Sequence, residues 1–361
     1  MAHSKVLSLI VSVTVGALLF VASSASEANI GLSAEEEQLM DWIAQEGGNF
    51  SVALGRNADG LRGVFTTRSA RKGEVLIHIP EHLALSVKPL AAAEVAPLLL
   101  KELHTPCSRL RPYMDTLPKE GEVLTAYNFP DEYVKYLANE ALESHITTAF
   151  KRHAHATFEG RNNGKMAITI PEAVGRMNVS LSYWLHVVSL LSSRTFSLRD
   201  GVLSMIPLLD MVNHDSRDEN YVDAKDGGYR LIAGRDLAAG EEVTISYGSL
   251  RSDELLLFYG FLDTVTSPPQ LLATDHRNYT GRFFELQPQE EEPTDAEAAA
   301  EVERLQRLLG EFDRRLEELG PVPDTDPRVA NLVRAYHAQR RLAIESELAR
   351  LQRGEGQRTE L

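Results

Sequence analysis

The sequence is poor in cysteine and in positive charge. It holds one cysteine, Cys107, in 361 residues, so an intramolecular disulfide and a Cys-rich zinc site are both excluded. Lys and Arg number 37 against 52 Asp and Glu, and the formal net charge is −15. Binding to nucleic acid requires clustered basic side chains that neutralise phosphates, and this composition argues against it. The fold must be held by its own apolar core, and a protein partner is favoured over a nucleic acid.

One long apolar run lies near the amino terminus, over residues 6–22. It follows Lys5 and precedes the small residues 23–25, an arrangement that predicts a signal peptide over residues 1–25. An uncleaved signal anchor is the alternative, because the 17 residues of the run reach the short limit for a membrane span. The chain is therefore expected to enter the secretory pathway, as an ER-lumenal or secreted protein. A signal-anchored membrane protein and a plastid reached through the secretory route are alternatives.

The rest of the chain divides into β-rich and helical parts. A short amphipathic helix is predicted from Glu35, and residues 90–191 have the three-and-four spacing of apolar residues that is typical of helices. A further helix is predicted over residues 253–259. Glycine-bounded apolar runs predict strands at residues 59–65, 74–80, 202–209, 229–233 and 242–246.

The last hundred residues predict a helical pair. Residues 287–293 are polar and flanked by proline, which is typical of a linker. Thr294, with Glu297 three positions later, predicts a capping box at the start of one helix, and Gly320 is expected to end it. Asp326 is expected to cap a second helix that runs to about Gly354. Matching apolar stripes predict that the two helices pack antiparallel. Packing alone would explain these stripes, without any catalytic role.

Three separated clusters carry groups that could bind or react. The first is Gly60-Leu61-Arg62-Gly63, where glycine lets the backbone approach a ligand closely. The second joins Arg194 and Phe196 to the run Asp210-Met211-Val212-Asn213-His214. Asp, Asn and His in such a run ordinarily indicate a helix cap or a metal ligand, but further ligands at useful spacing are missing. Taken alone, the first cluster is explained by a turn without a ligand, and His214 is explained by a half-buried histidine whose hydrogen bonds are satisfied.

The third cluster contains Gly240-Glu241-Glu242, then Tyr247, and then Tyr259-Gly260-Phe261. Each tyrosine taken alone would be expected to pack with its hydroxyl satisfied. The ordered set of three clusters resembles the SET-domain family of protein methyltransferases, in the branch of the Rubisco large-subunit lysine methyltransferase and the actin-histidine methyltransferase. The resemblance covers nearly all of the chain after residue 25.

The resemblance implies an α+β SET fold over residues 29–264, built from small β-sheets with a knot-like core and a helical insertion at about residues 90–191. An all-α substrate-binding domain would follow over residues 265–361. It implies S-adenosylmethionine as cofactor and transfer of a methyl group to a lysine of a non-histone protein. A protein-histidine methyltransferase and an inactive SET-like binding module are the alternatives, and no metal is expected.

The resemblance also assigns the site residues. Tyr247 would be catalytic, Arg194 would meet the cofactor's carboxylate, and Phe261 would stack near its adenine. Phe196 and Tyr259 would line the substrate channel. The cofactor would be held by Gly60, Leu61, Arg62, Gly63, Arg194, Asp210, Asn213, His214, Tyr247 and Phe261.

Overall fold

A computed structural model describes residues 31–58, 60–87, 92–159, 178–199, 202–281 and 294–358. The predicted signal peptide and the predicted linker at residues 287–293 lie outside these ranges. Within them, no helix is both long and apolar enough to cross a membrane.

The described strands are short. They are β1 (Asn49–Phe50), β2 (Val52–Arg56), β3 (Arg62–Thr66), β4 (Val75–Pro80), β5 (Leu85–Val87), β6 (Thr195–Arg199), β7 (Val202–Met205), β8 (Asn213–His214), β9 (Tyr221–Lys225), β10 (Gly228–Ile232) and β11 (Glu242–Ile245). They form three small sheets, with strand orders β1-β4-β10-β9, β2-β3-β11-β8 and β5-β7-β6. The second sheet contains the motif-bearing strands, because β8 runs parallel to β11, with Asn213 opposite Thr244 and His214 opposite Ile245.

Of the described α-helices, one precedes the first strand, six lie between β5 and β6, and three follow β11. They are α1 (Ala34–Gln45), α2 (Ala92–His104), α3 (Arg111–Met114), α4 (Asp131–Val134), α5 (Glu140–Ser144), α6 (Arg152–Phe158), α7 (Leu181–Arg194), α8 (Ser252–Tyr259), α9 (Asp295–Leu319) and α10 (Pro327–Arg358). A π-helical segment, His145–Lys151, joins α5 to α6. Of the predicted insertion, residues 90–191, the described parts are mostly helical. The predicted strand at residues 202–209 is shorter than expected, since the chain turns after Met205 into a 3-10 turn, Leu209–Met211.

One apolar core joins the sheets to the insertion. Its fully buried members include Ile77 on β4, Val187 on α7 and Leu39 on α1. Trp184 on α7 is also fully buried, and its indole N–H donates to the Ala154 carbonyl at 3.0 Å. The indole polar atom is thus satisfied inside the core, as burial requires.

The carboxy-terminal helices pack on the rest of the molecule. The capping box predicted at Thr294 is present at the start of α9. Leu305 on α9 clusters with Ile344 and Leu351 on α10, while Phe312, further along α9, packs near His337. This reversed order confirms the predicted antiparallel pair.

Candidate active site

A cleft of about 1370 Å³ lies between the β2-β3 hairpin, the 3-10 turn before β8, the end of α8 and the first part of α10. Its wall brings together most of the residues singled out from the sequence. These are Gly60, Leu61, Arg62, Arg194, Asp210, Asn213, Tyr247, Tyr259 and Phe261. Helix α10 contributes Val329, Leu332 and Ala335 to the wall.

Tyr247 lies two residues beyond β11. The parallel pairing of β11 with β8 ends at Ile245 and so positions the backbone just before Tyr247. Its hydroxyl donates to the Val212 carbonyl at 2.7 Å, and its N–H donates to Nδ1 of His214 at 3.1 Å. Burial raises the pKa of Tyr247 above its ordinary value, so the hydroxyl stays protonated at neutral pH. With its proton directed to Val212, the phenol oxygen keeps lone pairs that can accept a hydrogen bond from a ligand.

Aromatic rings surround the Tyr247 ring. Ring centroids lie 4.7 Å from Tyr259, 5.0 Å from His214 and 6.2 Å from Phe261. Burial also raises the pKa of Tyr259, so both phenols are neutral at pH 7. The cluster offers weakly polar walls with two phenol oxygens as the polar groups.

Gly260 fixes the relative position of Tyr259 and Phe261. It ends α8 in the left-handed conformation, with φ 77°, and its N–H donates to the carbonyls of Leu255 and Leu256. A Cβ at this position would lie 1.9 Å from the carbonyl oxygen of Leu124. Only glycine fits, because both the backbone conformation and the available space exclude a side chain.

Asn213 connects the segment Gly60-Leu61-Arg62-Gly63, called the first loop below, to the sheet. Its amide nitrogen donates to the Arg62 carbonyl at 2.9 Å and to the Glu242 carboxylate at 2.8 Å. Gly63 is close to this contact. A Cβ at position 63 would be 2.5 Å from the Glu242 carboxylate, so a side chain there would collide with it. Gly63 is absent from the cleft wall, and its contact with a cofactor stays a prediction.

His214 contacts Tyr247 through a hydrogen bond and its ring, and it is absent from the cleft wall. Burial lowers the pKa of His214, which keeps the imidazole neutral at pH 7. Its Nδ1 accepts from the Tyr247 N–H, and the ring proton is therefore inferred to lie on Nε2. Phe196 is also absent from the wall: it lies on β6 opposite Ser204 and packs against the main core. The contact of Phe196 with a substrate stays a prediction.

Arg194 and Asp210 form an ion pair on the cleft wall. Nη1 of Arg194 donates to the Asp210 carboxylate at 3.1 Å and to its backbone carbonyl at 2.9 Å. Tyr113, from the insertion, donates to the same carboxylate at 2.8 Å. Nε of Arg194 and Oδ1 of Asp210 are buried without a partner among the described residues. Such orphaned polar atoms are costly and point to a polar ligand beside this pair.

Sequence reasoning assigned no role to Tyr113 or to the Val212 carbonyl. Tyr113 stands in the run Arg111-Pro112-Tyr113, which resembles the family's insertion, and this was the available signal. Every residue has a backbone carbonyl, so the residue type at position 212 could not indicate this contact.

The sequence-family model of the SET domain matches residues 61–248, more than half of the chain. The chain belongs to the SET-domain family. It is 26% identical over 231 residues to the [fructose-bisphosphate aldolase]-lysine N-methyltransferase, chloroplastic, of Arabidopsis thaliana, covering 56% of this chain and 46% of that protein. It is 25% identical over 256 residues to the actin-histidine N-methyltransferase of Homo sapiens, covering 62% of this chain and 41% of that protein. This chain thus spans less than half the length of these two curated relatives.

Solved structures show the same SET fold. Rubisco LSMT bound to AdoMet superposes with a TM-score of 0.62 at 16% identity, over 90% of this chain and 93% of that chain. The SET domain of LSMT bound to lysine and AdoHcy gives a TM-score of 0.59, also at 16% identity, over 90% and 92%. At this identity the likeness concerns the fold, and the predicted fold class is confirmed.

The cleft of this SET domain fits S-adenosylmethionine by the chemistry of its wall. Arg194 offers a guanidinium whose Nε lacks a partner among the described residues, which suits the cofactor's carboxylate. Leu61 is 60% exposed on the first loop and can cover an apolar part of the ligand. Phe261 supplies an aromatic face close to His214, with ring centroids 5.7 Å apart.

Proposed function

We propose that this chain is an S-adenosylmethionine-dependent methyltransferase that acts on the amine of a lysine in a protein. The observation that carries the proposal is the buried Tyr247 hydroxyl, which donates to Val212 and faces a cleft that Tyr259 also lines. In support, the SET domain of LSMT was solved with lysine and AdoHcy, and a relative is named as a protein-lysine N-methyltransferase.

The bound cofactor would supply an activated methyl group on a sulfonium. The chain's task is then to bind and orient both partners. Arg194 and the first loop would hold the cofactor. The tyrosine walls would take the lysine amine out of water, which disfavours its charged form and leaves a lone pair free.

Tyr247 would orient that amine. Because its own proton goes to Val212, its oxygen accepts a hydrogen bond from the amine N–H and directs the nitrogen lone pair toward the methyl group. Neither Tyr247 nor Tyr259 would act as a base at neutral pH, since burial raises the pKa of both. The amine proton would be lost to solvent as the lysine side chain enters the cleft.

A histidine target is the second candidate. The relatives include actin-histidine N-methyltransferases at nearly the same identity as the aldolase-lysine enzyme. The N–H of a neutral imidazole could donate to the Tyr247 oxygen in the same way and direct the other ring nitrogen toward the methyl group. The identity of the labelled residue separates the two.

The test is transfer of a radiolabelled methyl group from the cofactor into proteins of a cell lysate by the full chain. The wild type is expected to label protein. Tyr247→Phe is expected to lose about a hundredfold in rate, because it removes the hydrogen bond that positions the amine. Tyr221→Phe is the matched control, since Tyr221 is half exposed on β9 and is absent from the cleft wall.

Labelled lysine after acid hydrolysis supports the proposal, and labelled histidine supports the second candidate. Absence of both cofactor binding and transfer in the wild type would leave a SET-like binding module. Equal rates for wild type and Tyr247→Phe would refute the role given to Tyr247.

For the cellular location, entry into the secretory pathway through residues 1–25 is part of the proposal. Its support is the basic start, the apolar run and the small residues of the sequence. Fusion of residues 1–40 to a fluorescent reporter tests it: ER staining and a shortened product are expected, and a full-length cytosolic product would contradict it.

A further inference from the structure

The β2-β3 hairpin places two arginines side by side on the cleft wall. Arg56 and Arg62 are direct partners across the hairpin, and both line the cleft. Both approach one carboxylate, that of Glu36 on α1. The distance to Glu36 Oε1 is 3.0 Å from Arg56 Nη2 and 3.8 Å from Arg62 Nη1. The Glu36 side chain is 4% exposed, so two guanidiniums share one buried negative charge.

Arg194 adds a third guanidinium, and its counter-charge is Asp210, whose side chain is fully buried. Three guanidiniums therefore accompany two carboxylates, with one positive charge in excess. The four remaining acids on this wall are paired or exposed: Asp115 is paired with Arg111 and Asp326 with Arg328, while Glu35 and Glu122 are exposed.

Among the described residues, Arg62 is the cation of this cluster that has no carboxylate within hydrogen-bond distance. Arg56 makes the closer contact with Glu36, and Asp210 contacts Arg194 directly. Within the described residues, the nearest carboxylate oxygen to Arg62 is the one at 3.8 Å, and its hydrogen bond goes to the neutral Thr116 carbonyl at 2.9 Å. Burial, and then the neighbouring charge of Arg194, lower the pKa of Arg62. A guanidinium stays charged even so, and such a site attracts an anion.

We propose that the Arg62 side chain is a second carboxylate-binding cation of the cleft and holds, together with Arg194, the amino-acid carboxylate of the cofactor. The proposal rests on the proposed function. Arg62 is 20% exposed, so water competes little with a bound carboxylate, and a guanidinium can present two parallel N–H donors to it. Thr116 and Glu36 orient the side chain from behind. Arg62 would therefore act in cofactor binding, away from the target amine.

The test compares two ligands by calorimetry with the full chain. S-adenosylhomocysteine carries the carboxylate, whereas 5′-methylthioadenosine has the same nucleoside thioether but lacks the amino-acid part. Arg62→Gln is expected to lose roughly tenfold in affinity for S-adenosylhomocysteine, the value of one charge-assisted hydrogen bond, and to keep its affinity for 5′-methylthioadenosine. Arg62→Lys, which keeps the charge without the fork, is expected to lie between wild type and Arg62→Gln.

Arg56→Gln is the matched control, because it removes a charge from the same hairpin and the same carboxylate partner. Its loss is expected to be clearly smaller. Three results would overturn the inference: unchanged binding of S-adenosylhomocysteine by Arg62→Gln, an equal loss for both ligands, or an equal loss in Arg56→Gln. Failure of the wild type to bind S-adenosylhomocysteine is a different outcome, because it defeats the proposed function itself and this inference with it.

Discussion

The hydroxyl of Tyr113 donates a 2.8 Å hydrogen bond to the carboxylate of Asp210, although the two residues are 97 positions apart. Tyr113 belongs to the helical insertion and is fully buried, while Asp210 belongs to the turn that leads into β8. Arg194 contacts the same carboxylate from the end of α7. The insertion therefore takes part in building this part of the cleft wall.

Tyr113→Phe is expected to lower the free energy of unfolding by about 1–3 kcal/mol, since it removes one of the two side chains that bond the buried Asp210 carboxylate. Urea denaturation at pH 7 measures the change. Tyr221→Phe, at a half-exposed position, serves as control and is expected to change stability by less than about 0.5 kcal/mol. Identical midpoints for wild type and Tyr113→Phe would show that the bond contributes nothing net.

Gly260→Ala is expected to reduce both stability and methyl transfer. Left-handed backbone costs an alanine about 1–2 kcal/mol, and displacement of the Leu124 carbonyl adds roughly 1–3 kcal/mol. The shift would also displace Tyr259 and Phe261. Thermal unfolding and the transfer assay measure the two effects.

Gly240→Ala is the matched control for that substitution. Gly240 has the same φ of 77°, but a Cβ there meets nothing within 4 Å. It is expected to show the backbone cost alone and to keep transfer activity. If both variants behaved alike, close packing against Leu124 would not be the reason for glycine at position 260.

Arg340→Met is expected to lower the free energy of unfolding by about 3–5 kcal/mol, because it leaves the Asp275 carboxylate buried without its partner. The pair is bidentate, with N···O distances of 2.9 and 2.7 Å, and the two side chains are 4% and 2% exposed. Chemical denaturation checks the value. The double variant Arg340→Met with Asp275→Asn should recover part of the loss, and the exposed pair of Arg314 and Glu318 offers a control at which Arg314→Met changes little.

Asp253 is expected to make stability depend on pH between about 4 and 6. It is fully buried, burial raises its pKa from 3.8 to about 6, and it accepts bonds from the Ala273 and Thr274 N–H groups. A carboxyl whose pKa is raised by folding favours the folded state at low pH, and this contribution is lost as pH rises through 6. From pH 7 to pH 4, wild type should therefore gain up to about 3 kcal/mol relative to Asp253→Asn. Unfolding curves of both proteins across this range test it, and a parallel pH profile would contradict the assignment.

Much of the local structure could be predicted from the sequence. The apolar strand β4, the capping box at Thr294 and the helix that ends at Tyr259 each depend on residues within a few positions of one another. Strand β2 and strand β9 were not predicted. Their burial patterns are irregular, and they are strands because partners distant in the sequence pair with them.

Nine residues of the cleft wall could also be singled out from the sequence, because an ordered set of Arg194, Asn213, Tyr247 and Phe261 resembles the motifs of the SET family. Only the tertiary structure decided what each of them contacts. Tyr247 bonds to Val212 because β8 and β11 run parallel, and Arg62 approaches Glu36 because α1 packs against the hairpin. Turns and caps are set by short-range backbone geometry, whereas these contacts join residues far apart in the chain, and only packing of the whole core brings them within hydrogen-bond distance.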